Sequence, residues 1–187
     1  MSDACPLNSD WLSGSGAVDC ASLRVALFEP EIPPNTGNVA RTCAATGSEL
    51  HLIEPLGFSL EDRQLKRAGL DYWPSVQLHR HSDATAFQRS RLRRGGRLIA
   101  LSRHADTAYT AFRYRPGDWL LFGKESTGLP ASLRQASEAC LRIPLRGRSA
   151  TGERAVRSLN LSVAVGIVLF EALRQIEQSF TKMAVPD

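Results

Sequence analysis

Three separated stretches of this 187-residue chain set isolated charges among small residues, the composition found where a backbone comes close to a ligand. In "PPNTGNVARTC" (33–43) two prolines, a glycine and two asparagines surround one cation, Arg41. In "LLFGKESTGLP" (120–130) an apolar run passes straight into Gly123, and Glu125 stands alone between it and Gly128. Glycines there admit close backbone approach and tight turns that a Cβ would block. An exposed carboxylate on a strand-to-helix connection is the plainer reading of Glu125. In "IPLRGRSATGERAVRSLNLS" (143–162) Arg146, Arg148, Arg154 and Arg157 precede Ser158 and Asn160 at the start of a long apolar run. Ser and Asn can cap exposed amides. Four cations converging on a helix start also make a place for a phosphodiester.

A fourth stretch, "SRHADTAYTAFRYRPGDW" (102–119), interleaves Tyr109, Phe112 and Tyr114 with Arg113 and Arg115. Either the rings stack on unpaired bases while the arginines hold phosphates, or the stretch is an amphipathic loop on the core. Residue types leave both open. The cluster Arg89, Arg91, Arg93, Arg94 and Arg97 reads as a solvated helix end.

Other chemistries are excluded. Lys124 follows the first glycine of its stretch and not the second, so the chain has no phosphate-binding loop of the Gly-x-x-x-x-Gly-Lys type. No Gly-x-Gly-x-x-Gly follows the first strand, which sets aside a nucleotide-dependent oxidoreductase. Cys5, Cys20, Cys43 and Cys140 form no C-x-x-C pair. Neither a zinc site nor a disulfide framework is expected, and a reducing cytoplasm fits. A net charge of +4 permits a polyanionic partner without requiring one. No run approaches the length of a membrane span.

These residues need elements to position them. "LRVALFEP" (23–30), "ELHLIEP" (49–55), "RLIALS" (97–102), "DWLLFG" (118–123) and "CLRIPL" (140–145) read as strands. Helical spacing covers 35–45, with Asn35 or Thr36 as its cap and Gly47 as its stop. Further helices are expected over 61–69, 83–96, 130–137 and 160–175. The last is apolar on most sides, as a core or subunit-contact helix would be. Strands alternating with helices predict an α/β domain with a mostly parallel sheet flanked by helices. Ligands of such sheets bind beyond the carboxyl ends of the strands. That places attention on 30–41, 101–104, 123–130 and 143–160. Residues 1–22 read as a flexible leader, 23–177 as the domain and 178–187 as a tail.

Taken together, "FEPEIPPNTGNVARTCAATG", "LHLIEPLGF", "KRAGLDYW", "LLFGKESTGLPASL" and "RIPL…RSLNLSVAVGIVLFEALRQ" resemble the SPOUT superfamily of S-adenosylmethionine-dependent RNA methyltransferases. Within it they are most similar to the bacterial 2′-O-methyltransferases of the wobble nucleotide, C34 or U34, of leucine tRNAs. The resemblance covers about residues 23 to 175 and implies a C-terminal deep trefoil knot, an exception to ordinary topology. It implies cofactor contacts at Leu101, Gly123, Ile143 and Ser158, and active-site roles for Asn35, Arg41, Glu125 and Asn160. It further implies a homodimer that holds a tRNA anticodon stem-loop and uses S-adenosylmethionine without a metal. Arg146, Arg148, Arg154 and Arg157 are the expected RNA contacts. A sister enzyme acting on another tRNA or rRNA position, or a non-catalytic RNA-binding module, are the alternatives.

Overall fold

A computed structural model describes residues 22–60, 73–147 and 156–183, with side chains to 179. Its seven strands are β1 (Arg24–Phe28), β2 (Glu49–Ile53), β3 (Leu78–His81), β4 (Leu98–Leu101), β5 (Thr107–Ala108), β6 (Trp119–Phe122) and β7 (Ala139–Arg142). Four α-helices accompany them: α1 (Pro33–Thr46), α2 (Ala84–Arg94), α3 (Ala131–Gln135) and α4 (Leu161–Met183).

The strands form one sheet in the order β3-β2-β1-β6-β4-β7-β5, and every pair in it is parallel. The chain first winds outward through β1, β2 and β3. It then places β4 so that β6 later fills the gap beside β1. The carboxyl ends of β1, β6, β4 and β7 therefore lie side by side.

Central strands are apolar along both faces because both are covered. Val25, Leu27, Leu50, Leu52 and Leu120 pack beneath α1 and α4, with Val165, Val168 and Leu169 coming from α4. Ala26, Phe28, Ile53, Trp119 and Leu121 meet Phe87 of α2 and Leu133 of α3 on the other face. No helix among the described residues is long and apolar enough to cross a membrane.

Several elements differ from expectation. Helix α1 starts two residues early: Ile32 is its N-cap, and Pro33 and Pro34 fill its first turn. Proline suits that position because a first-turn N–H has no intrahelical partner to lose. Asn35 and Thr36 are consequently buried inside the helix rather than capping it. Strands β3 and β5 carry too few apolar residues to be read as strands. β3 is an edge, and β5 is a two-residue edge. Strand β7 stops at Arg142, so 143–145 continues without regular structure. Helix α4 runs on to Met183, beyond the helix expected over 160–175. The helix expected over 61–69, and the leader up to residue 21, lie outside the described residues.

At the amino ends of the strands, on the α2 face, a buried polar cluster replaces part of the core. The Glu49 carboxylate accepts Arg94 Nη2 at 2.6 Å and Arg24 Nε at 3.3 Å on one oxygen. Its other oxygen meets His51 Nε2 at 3.2 Å and His79 Nε2 at 3.1 Å. The two imidazoles stack with centroids 4.5 Å apart and planes 13° apart. Both imidazoles share one carboxylate oxygen, so the cluster ties β2 and β3 to Arg94 of α2. Arg94 leaves the solvated cluster expected for it, and so does Arg97, which grips Asp118 at 2.7 and 2.9 Å.

Candidate active site

The turn after β6 is built by two glycines with different duties. A Cβ on Gly123 would lie 2.2 Å from the carbonyl carbon of Gly128, an impossible contact with backbone. Gly128 itself adopts φ +73, where side chains are strained. The 124–128 loop closes through Gly128 N–H donating to the Lys124 carbonyl at 2.9 Å.

This turn is stitched to the β1–α1 connection. The Glu125 carboxylate accepts the Glu31 N–H at 2.8 Å, the Ile32 N–H at 3.3 Å and Asn35 Nδ2 at 2.9 Å. In return the Glu31 carboxylate accepts both the N–H and the hydroxyl of Ser126, at 2.9 and 2.8 Å. Those two bonds lower the Glu31 carboxyl from its ordinary value. Lys124 Nζ sits 2.6 Å from a Glu29 oxygen, and that hydrogen bond raises the ammonium. Lys124 is thereby occupied within the chain.

The network reaches α4 as well. Asn35 Oδ1 accepts Asn160 Nδ2 at 2.9 Å. Asn160 Oδ1 in turn accepts the Ser162 N–H at 2.9 Å and the Ser162 hydroxyl at 2.7 Å, capping the helix. Glu125, Asn35 and Asn160 therefore form one relay linking the 124–128 loop, α1 and the start of α4. Their residue types demand it: an amide donates at one atom and accepts at the other, while a carboxylate only accepts.

Behind the relay lies a cavity of about 480 Å³ at the carboxyl ends of β4, β6 and β7. Leu101, Gly123, Ile143 and Ser158, the four residues expected to hold a cofactor, all line it. So do Asn35, Glu125 and Asn160. Leu129, Leu141 and Ala164 add apolar wall. All four segments singled out by the strand-end rule contribute to it.

Other expected residues stand elsewhere. Arg41 is exposed on α1, six residues or about 9 Å along the helix from Asn35, and is not part of the cavity wall. Arg146 is exposed, and Arg157 borders a smaller concavity. Arg148 and Arg154 lie outside the described residues. Tyr114 is buried and donates its hydroxyl to the Tyr109 carbonyl, with Phe112 edge-on against it. It is core, so that part of the aromatic stretch offers no stacking face. Arg103 and His104, from the expected 101–104 segment, line the cavity as well, and so does Arg134, which no expectation named. Arg134 lies between strands in sequence and shows nothing that spacing would detect.

The SpoU rRNA Methylase family matches residues 22–170, which take in every segment of the cavity. The chain belongs to the SpoU methylase family. Among its relatives, the tRNA (cytidine(34)-2'-O)-methyltransferase of Escherichia coli K12 is 47% identical over 156 residues, spanning 82% of this chain and 94% of that one. A solved structure described as giving insights into 2-OH methylation of C/U34 on tRNA superposes on the SpoU domain with a TM-score of 0.76. It is 49% identical and covers 83% of this chain and 97% of the other. The AdoMet-bound rRNA methyltransferase of Sinorhizobium meliloti, 30% identical, superposes with a TM-score of 0.72 over 82% of this chain and 56% of its own.

Proposed function

We propose that this protein transfers a methyl group from S-adenosylmethionine to the ribose 2′-oxygen of nucleotide 34 of tRNA, leucine tRNAs among them. One observation carries the reading. Loops far apart in sequence close a single cavity at the strand ends, in a chain whose relatives are named for that reaction. At about 480 Å³ the cavity falls within the range of small-molecule sites, roughly 300–1,000 Å³. Gly123, whose missing Cβ lets the Gly128–Leu129 backbone close the turn, and the apolar Leu101 and Ile143 line space that suits a purine ring. When bound, the cofactor supplies a sulfonium methyl group and leaves as S-adenosylhomocysteine.

The chain's own residues then have separable tasks. Leu101, Gly123, Ile143 and Ser158 hold the cofactor. Glu125, Asn35 and Asn160 fix the loops around it. Arg41 acts on the 2′-oxygen by charge. A guanidinium stabilises developing negative charge better than it accepts a proton. Because Arg41 stands outside the cavity wall of its own chain, that role calls for a homodimer. Val163 and Phe170, 49% and 58% exposed on α4, supply an apolar face for one. The anticodon stem-loop then lies along Arg146, Arg148, Arg154 and Arg157, and the family's trefoil knot wraps the cofactor in the cytoplasm.

The test is nucleoside mass spectrometry of tRNA from a deletion strain. Loss of the 2′-O-methyl group at position 34 is expected. Loss at another tRNA or rRNA position would redirect the substrate, and failure to bind S-adenosylmethionine in calorimetry would leave an RNA-binding module. Arg41→Ala should abolish transfer while the cofactor still binds. Full activity in that variant would discard its role.

A further inference from the structure

Beside the main cavity lies a second concavity of about 150 Å³. Arg103, Arg142 and Arg157 line it together with the segment Ile143, Pro144 and Leu145. The two cavities share Arg103, Ile143 and Leu145, so this segment is the wall between them. Among the described residues, no acidic one lines the smaller cavity. Among the described residues, none of its three arginines has an ion pair, whereas Arg24, Arg80, Arg94, Arg97 and Arg174 are each paired with a carboxylate. Arg103 only touches its neighbour, Nε to His104 Nε2 at 3.1 Å. The Nε of Arg142 is buried with no acceptor at all.

Three guanidiniums around one small concavity repel one another, and a buried N–H without an acceptor is costly. An oxyanion seated among them relieves both penalties. Guanidinium forks match phosphate oxygens two at a time. We infer that Arg103, Arg142 and Arg157 form a phosphate subsite that holds an RNA phosphodiester beside the cofactor cavity, next to the nucleotide being modified. The methionine end of the cofactor fits less well. It is a zwitterion, and its ammonium group would meet three positive charges. A phosphodiester brings a full negative charge and no cation. In sequence Arg142 falls within the strand read over 140–145 and Arg103 within the strand-end segment 101–104. Tertiary folding brings them to Arg157.

This inference rests on the proposed RNA methyl transfer. Its test compares the wild type with Arg142→Gln and Arg157→Gln, neither of which alters a residue lining the main cavity. Filter binding of an unmodified tRNA transcript across a potassium chloride series reads affinity and its salt slope. Each variant should bind tRNA roughly tenfold more weakly. Each should also flatten the plot of log affinity against log salt by about 0.7 to 0.9. Affinity for S-adenosylmethionine, measured by calorimetry, should stay within about twofold of wild type. Unchanged tRNA affinity and slope in the exposed Arg157→Gln variant would overturn the subsite. So would a fall in cofactor affinity with tRNA binding intact, which would assign the arginines to the cofactor's carboxylate. If the wild type itself neither binds S-adenosylmethionine nor methylates tRNA, the underlying reading fails as well.

Discussion

Glu125 is surrounded by donors: two backbone N–H groups and the amide of Asn35 converge on its oxygens. A carboxylate so held is a fastener between two loops, and its place on the cavity wall follows from that. Truncation to Ala leaves two part-buried donors without an acceptor, at about 1 kcal/mol or more for each, and a third, exposed one that water can satisfy. Glu125→Ala should therefore cost about 2 kcal/mol of stability. That is a fall of roughly 4–8 °C in a thermal melt. Methyl transfer should fall with it, since Asn35 and through it Asn160 lose their anchor. A melt within about 2 °C of wild type would show that the loops are held by other contacts. Asn160 serves twice, once toward Asn35 and once as the cap of α4. Asn160→Ala should accordingly lower helix stability as well as activity.

At the scale of elements, the turn between β6 and α3 sets the floor of the cavity. Its two glycines predict opposite sensitivities. Gly123→Ala drives a methyl group into the backbone of Gly128 and Leu129, so the turn must open. Cofactor affinity in calorimetry should drop at least tenfold. Gly128→Ala meets nothing within 4 Å and suffers only from its φ of +73, a strain of about 1 kcal/mol. That variant should keep binding while melting slightly lower. Equal losses in the two variants would show that the close approach at Gly123 does not shape the cavity. Helix α1 tells a similar story about register. Two prolines in its first turn start it at residue 33, and this early start buries Asn35 where Glu125 can reach it.

The whole molecule separates its chemistry from its stabilising charges. The cavity occupies the carboxyl ends of the strands, and the Glu49 cluster sits at their amino ends. Burial lowers the His51 imidazole from 6.5 to about 4. Burial would raise the Glu49 carboxyl, yet the His51 hydrogen bond and the charges of Arg94 and Arg24 outweigh it and bring it to about 2. Between pH 6.5 and 4 the unfolded chain binds a proton at His51 that the folded chain refuses, so stability falls as pH drops through this window. The Glu49 contribution is present above pH 4.5 and disappears as pH falls toward 2. Unfolding free energies from urea titrations should thus decline steadily below pH 6.5, by on the order of 3 kcal/mol at pH 4. His51→Asn should flatten that slope, and an unaltered slope would place its source elsewhere. Assembly belongs to the same scale. If the proposed homodimer forms through α4, Phe170→Arg on its exposed face should shift it to monomer in sedimentation. It should also remove activity without abolishing cofactor binding.

Strand-and-helix alternation was readable from the chain because core strands are apolar runs and helices repeat every three to four residues. The segments that would meet were readable too, since each follows a strand in a parallel sheet. Family motifs added Asn35, Glu125 and Asn160, but neither motif nor spacing says that one relay joins them. Donors and acceptors 90 and 125 residues apart find each other only after β6 has entered between β1 and β4. Edge strands stayed hidden because a ladder formed on one side asks little of side-chain polarity. Arg94 and Arg97 looked solvated, and Tyr114 stood open between stacking face and core, because local pattern carries no information about what packs on top of a residue. The sequence by itself determined which elements form and in what order. Tertiary structure decided which charges face one another, because long-range contacts depend on strand order, and strand order leaves no mark on local periodicity.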